Sequence, residues 1–310
     1  MTKNQLTKDV LREWILSKKK YIKESTYTYY LYEIENYIIP VLGEYKISEI
    51  NEKCIQEAVL HWQQYGGKEK QSLKKSTVQN LVTLIKQVMR YAVKEGGCKE
   101  NPLEIHFIPT QVEQKKNVFT LEEQHLIMNT ICKTPNFREF GIFLCLNSGL
   151  RIGELCALQW TDIDFQNRVV HITKTMQRIY NKRSNPKTKI IISAPKTRTS
   201  VREIPLSGNT MNLIKQLPSL NVQGYILTNS NRYMEPRAIR KYYNSFLLKL
   251  GIQPINFHCL RHTFATRCIE NGANYKTVSE LLGHSSINTT LNLYVHPPIS
   301  EKRKCVELIQ

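Results

Sequence analysis

Apolar positions recur every three or four residues through much of the first hundred residues. Val78, Leu81, Val82, Ile85, Val88, Met89 and Ala92 form one such stripe, which predicts an amphipathic helix ended by Gly96-Gly97. A second helix is predicted from near Ser25, a candidate cap, through Leu31, Ile34 and Ile38 to Pro40 and Gly43. With further helices from about Leu6 to Lys18 and from Ser48 to Tyr65, the pattern describes a four-helix domain over residues 1–108. Residues 109–117, Pro-Thr-Gln-Val-Glu-Gln-Lys-Lys-Asn, have no periodicity and little apolar content, and are expected to be a linker.

A second domain is expected over 118–310. Thr120 and Glu123 have the spacing of a capping box at a helix start. The period then shortens. Val169 to Thr173, Ile190 to Ile192 and Val201 to Leu206 read as three short strands, with Lys196 in the turn between the last two. The fold class is therefore mainly α with a small antiparallel sheet.

Charge narrows the function. The chain carries 44 basic and 26 acidic residues, a net +18, which points to a polyanionic partner such as double-stranded DNA. Residues 1–110 hold 17 basic and 13 acidic side chains, whereas 111–310 hold 27 and 13, so the excess lies in the second half. Nine basic residues and no acidic one fall between Lys174 and Arg202. Lys174, Arg178, Lys182, Arg183, Lys187, Arg198 and Arg202 are accordingly expected to follow DNA phosphates. The eight cysteines lack CxxC spacing, the chain opens without a signal-peptide pattern, and no apolar run approaches the roughly 20 residues of a bilayer span. A cytoplasmic protein with reduced thiols is expected.

Six residues carry candidate chemistry: Arg151, Lys196, His258, Arg261, His284 and Tyr294. Two planar guanidinium groups suit the non-bridging oxygens of a phosphodiester under attack. A phenol beside such cations becomes a usable nucleophile. On a helix, His258 and Arg261 would share one face. Each residue alone has a plainer reading, since Arg151 suits a surface, His258 a core, and Tyr294 is one of 16 tyrosines. Glu154, one turn from Arg151, is expected to hold that arginine by an ion pair. His262 could pair with His258 on a metal, but no third ligand is evident, and no cofactor is expected.

The segments Gly149-Leu150-Arg151-Ile152-Gly153-Glu154-Leu155, Pro195-Lys196-Thr197, Arg202-Glu203-Ile204-Pro205-Leu206, His258-Cys259-Leu260-Arg261-His262, Leu282-Gly283-His284 and Tyr294 occur in an order that resembles the tyrosine recombinases, or phage-type integrases. The resemblance implies a helical core-DNA-binding domain, and a catalytic domain that cuts and rejoins DNA through a 3′-phosphotyrosine without ATP or metal. It implies that Arg151 and Arg261 hold the phosphate, Lys196 protonates the departing oxygen, His258 assists proton transfer, His284 holds the phosphate or orients the tyrosine, and Tyr294 attacks. It also implies a homo-tetramer on DNA, with accessory bending or directionality proteins as further partners. The tail from Ile299 to Ile309, with Val306, Leu308 and Ile309 as anchors, is expected to serve assembly. The N-terminal region has no space for an arm-site-binding domain, so simple core sites are expected. A relaxing topoisomerase of the same chemistry and a non-catalytic DNA-binding regulator are the alternatives.

Overall fold

The computed structural model describes residues 1–67, 71–99, 104–109, 118–182, 184–195, 197–291, 303, 306 and 307. The chain divides into two compact units, Met1–Glu113 with Ile179–Lys189, and Gln114–Arg178 with Ile190–Gln310.

The first unit is helical. Its elements are α1 (Thr7–Lys18), α2 (Glu24–Glu33), a π turn (Ile34–Ile38) running into α3 (Ile39–Leu42), α4 (Glu52–Tyr65) and α5 (Lys75–Lys94). Asn51 starts α4 by accepting the Cys54 backbone N–H on its side chain. Ser25 does not cap α2, which begins one residue earlier behind Lys23. Pro40 lies in the first turn of α3, directly after the π turn. The apolar stripe of α5 is buried from Val78 to Ala92 and faces Val10, Leu11, Trp14, Ile55 and Trp62 in one core. Trp62 satisfies its indole by donating to the Tyr37 carbonyl at 3.2 Å.

In the second unit, α6 (Leu121–Lys133) opens with the expected capping box. The Thr120 N–H donates to Glu123 at 2.9 Å, and the Glu123 N–H to Thr120 Oγ1 at 3.2 Å. There follow α7 (Phe137–Ser148), α8 (Ile152–Ala157), β1 (Ile163–Asp164), β2 (Val169–Ile172), β3 (Thr175–Tyr180), β4 (Thr188–Ser193) and β5 (Arg202–Pro205), the end of β3 and the start of β4 being counted with the first unit. The remainder is α9 (Gly208–Gln216), α10 (Pro236–Lys249), α11 (Cys259–Glu270), α12 (Tyr275–Leu282) and α13 (Ile287–Leu291). Helix α7 is buried from Phe140 to Leu146 and runs through the core, where Phe140 stacks on Trp160 at 5.7 Å between ring centres.

The strands correct one expectation. β1, β2 and β5 form an antiparallel sheet in which Val170 stands opposite Ile204 and His171 opposite Glu203, while β4 pairs with β3. β3 reads as a polar connection because Gln177 and Arg178 interrupt its apolar positions, yet Met176 and Ile179 are buried along it. The segment between β4 and β5 therefore joins two sheets and is not a hairpin tip. Among the described residues no helix is long and apolar enough to cross a membrane.

Candidate active site

The site is built where two helices stop. Helix α7 ends at Gly149, which has φ +67° and whose N–H returns to the Cys145 carbonyl at 2.9 Å. A side chain there would be strained, and its Cβ would lie 2.6 Å from Leu282 and 2.7 Å from Phe264. Helix α12 ends the same way at Gly283, with φ +64°. Each end leaves carbonyls without helical partners and carries the negative pole of the helix dipole.

Three arginines occupy those carbonyls. Arg261 Nη1 donates to the Gly149 carbonyl at 2.7 Å and its Nη2 to that of Leu282 at 2.6 Å, so one guanidinium ties the two helix ends together. Arg151 Nη2 donates to the Gly283 carbonyl at 2.9 Å. Arg202 Nε donates to the Leu281 carbonyl at 2.6 Å. Three successive carbonyls of α12 thus hold three cations side by side. Arg151 is 33% exposed, whereas Arg261 beside it is 1% exposed.

Glu154 joins the set from the first turn of α8. Its Oε1 takes Arg151 Nη1 at 2.8 Å, the ion pair expected from the spacing, and Arg202 Nη1 at 3.1 Å. Its Oε2 takes the Arg151 N–H at 2.9 Å and Arg202 Nη2 at 3.0 Å. Burial alone would raise this carboxyl, but the bonds and charges of Arg202 and Arg151 hold it below its ordinary value. Burial and then Arg151, offset in part by Glu154, pull Arg261 down to about 9, so it remains cationic at neutral pH. Three guanidinium charges face one carboxylate in this network. The surplus suits an anion whose charge grows during reaction.

Two histidines complete the cluster. His258 stands at the exposed N-terminal end of α11, its N–H bound to Asn256 Oδ1 at 3.0 Å and its ring 4.6 Å from that of His262 at nearly a right angle. Desolvation, followed by the charges of His262, Arg261 and Arg151, pulls its imidazole down to about 4 against the opposing pull of Glu154. His284, half-buried after the α12 cap, is drawn down to about 4 by burial and then by Arg261 and Arg151. Both rings are therefore neutral near pH 7 and able to accept a proton or a hydrogen bond. In the unfolded chain they bind protons near pH 6.5. Between those values the unfolded state holds more protons, so stability falls as pH drops from about 6.5 toward 4. Thermal unfolding at stepped pH should show this loss, and His258→Asn should flatten it; an unchanged slope would remove His258 from the cluster.

Arg151, His258, Arg261 and His284 lie near enough for their charges to act on one another. Lys196, Tyr294 and Arg183 lie outside the described residues, as do the Arg198 side chain, positions 110–117 of the linker, and Leu308 and Ile309 of the tail. The basic run behaves unevenly. Lys187 is exposed, and Lys182 is exposed with its ammonium 2.9 Å from Glu35 within the first unit. Lys174 donates to Gln159 at 3.0 Å and lies 3.2 Å from Asp162, and Arg178 pairs with Glu235. Arg202 departs from the expectation outright: at 6% exposure, with its donors turned inward, it is part of the site's frame and not of a DNA-facing surface. The carbonyls of α12 had no sequence signal beyond the glycine that ends the helix. Among the described residues no three His, Cys, Asp or Glu side chains converge as a metal site would require.

Residues 117–300 match the phage integrase family, and residues 8–63 match the phage integrase N-terminal SAM-like domain. The chain belongs to the phage integrase family. A XerC-like tyrosine recombinase of Caldanaerobacter subterraneus subsp. tengcongensis is 30% identical to it, over 97% of this chain and 82% of that protein. Tyrosine recombinase XerD of Rickettsia bellii is 25% identical over 95% of each. This integrase-family chain is a tyrosine-type site-specific DNA recombinase. Its fold is that of the Tn1549 transposon integrase, solved with a circular intermediate DNA, with a TM-score of 0.79, 21% identity and coverage of 98% of this chain and 99% of that one. A lambda integrase dimer bound to a COC′ core site superposes with a TM-score of 0.64 at 17% identity, covering 93% and 95%.

Proposed function

We propose that the chain cuts and reseals DNA through a 3′-phosphotyrosine, using the arginine network as its phosphate receptor. The observation that carries this is the excess of guanidinium over carboxylate charge at the meeting of two helix ends, with two neutral imidazoles beside it. Arg151, the more open of the pair, meets the scissile phosphate, and Arg261 backs it from the interior. Tyr294 oxygen attacks phosphorus, the bond to the 5′ oxygen breaks, and Lys196 gives that oxygen its proton. His258 takes up the phenol proton, and His284 hydrogen-bonds the phosphate. Rejoining runs the same steps backward. The ester conserves the bond, so no nucleotide is consumed.

In this reading, residues 1–108 form the core-DNA-binding domain, 109–117 the linker, and 118–310 the catalytic domain. Lys182, Arg183, Lys187 and Arg198 are candidates for the DNA surface. Four copies act on two duplexes, with the tail after Pro298 joining neighbours.

Because the guanidinium groups and Lys196 carry out neutralisation and protonation, cleavage is expected to run at full rate in excess chelator. The test is a denaturing gel of the protein with nicked duplexes drawn from the DNA flanking its gene. A slow-migrating protein–DNA adduct with and without chelator supports the reading. Loss of the adduct in chelator, restored by magnesium, refutes it.

A further inference from the structure

Arg202 is not among the six residues that the family resemblance assigns to chemistry, yet it is bound into the same network from four directions. It donates to the Leu281 carbonyl, to the Ser200 carbonyl at 3.1 Å, and to both oxygens of Glu154. Those two oxygens are the ones that Arg151 uses through its side chain and its backbone. Glu154 is 2% exposed, so removing Arg202 would leave this carboxylate with Arg151 as its one cationic partner in the network. The carboxylate would then draw Arg151 inward and cancel the charge meant for the phosphate. The segment carrying Arg202 also fits closely against the end of α12: a Cβ on Gly283 would lie 2.8 Å from the Thr199 carbonyl oxygen and 3.1 Å from Arg202 Cδ. A lysine in its place would reach one of these partners but would not span carbonyl and carboxylate together.

We propose that Arg202 is a positioning residue for strand cleavage. It shares the charge of Glu154 and fixes the last turn of α12, so that the Arg151 guanidinium stays turned toward the phosphate. The role rests on the recombinase reading and adds to it a residue that never touches DNA.

The test is a double-mutant cycle on the nicked flanking-DNA substrate, with adduct formation rate and DNA affinity measured separately. Arg202→Gln and Arg202→Lys are expected to bind DNA within about threefold of the unsubstituted protein and to cleave at least about tenfold more slowly. Arg202→Gln combined with Arg151→Ala should be no slower than Arg151→Ala alone, because both act on one phosphate contact. A substrate with sulfur in place of the departing 5′ oxygen needs little protonation. It is expected to rescue Lys196→Ala but not Arg202→Gln. Should glutamine prevent folding, Arg202→Lys carries the same cycle with the charge retained. Wild-type cleavage by the Arg202 variants, a defect that multiplies with that of Arg151→Ala, or rescue by the sulfur substrate would each overturn the positioning role. Failure of the unsubstituted protein to form any adduct would instead overturn the recombinase reading beneath it.

Discussion

Arg261→Lys is expected to slow strand cleavage by roughly two to three orders of magnitude, because it loosens the frame that holds Arg151 against the developing oxyanion. The geometry explains why keeping the charge does not suffice. Arg261 reaches the Gly149 carbonyl with one nitrogen and the Leu282 carbonyl with the other, and so holds the end of α7 against the end of α12. An ammonium group can satisfy one of those carbonyls and leaves the other buried and unpaired. Arg151 would then lose its fixed distance from the Gly283 carbonyl. Single-turnover cleavage on a nicked duplex measures the effect, with DNA affinity and unfolding temperature as controls. A loss below about tenfold would show that the fork is dispensable and the charge alone matters.

Much of the frame was legible because local chemistry repeats at fixed spacing. The stripe from Val78 to Ala92 marked α5, Thr120 and Glu123 marked the start of α6, and the run from Val169 marked β2. Glu154 was legible as the partner of Arg151. What stayed hidden depends on contacts far apart in the chain. The bond from Arg151 to the Gly283 carbonyl crosses 132 positions, and that from Arg202 to Leu281 crosses 79. A backbone carbonyl has no residue identity, so no pattern of side chains reveals it as an acceptor. The same blindness placed Arg202 on the DNA surface, because an arginine in a basic run looks alike whether its donors turn outward or inward. β3 was missed for a different reason: polar residues between Met176 and Ile179 imitate a loop, and the pairing with β4 overrides their propensity.

The central claim is that this surplus of fixed positive charge turns one phenol into a nucleophile toward DNA, and Tyr294 is the phenol assigned to that part. Tyr294→Phe deletes a single oxygen and leaves the arginine network untouched, so DNA affinity should be unchanged while covalent chemistry stops. The most direct measurement is proteolysis of the adduct formed on a nicked duplex, followed by mass spectrometry of the nucleotide-bearing peptide, run beside the Tyr294→Phe protein. The expected result is a nucleotide on Tyr294 and no adduct from the phenylalanine variant. An adduct that persists in Tyr294→Phe, or a nucleotide mapped to another side chain, would contradict the claim.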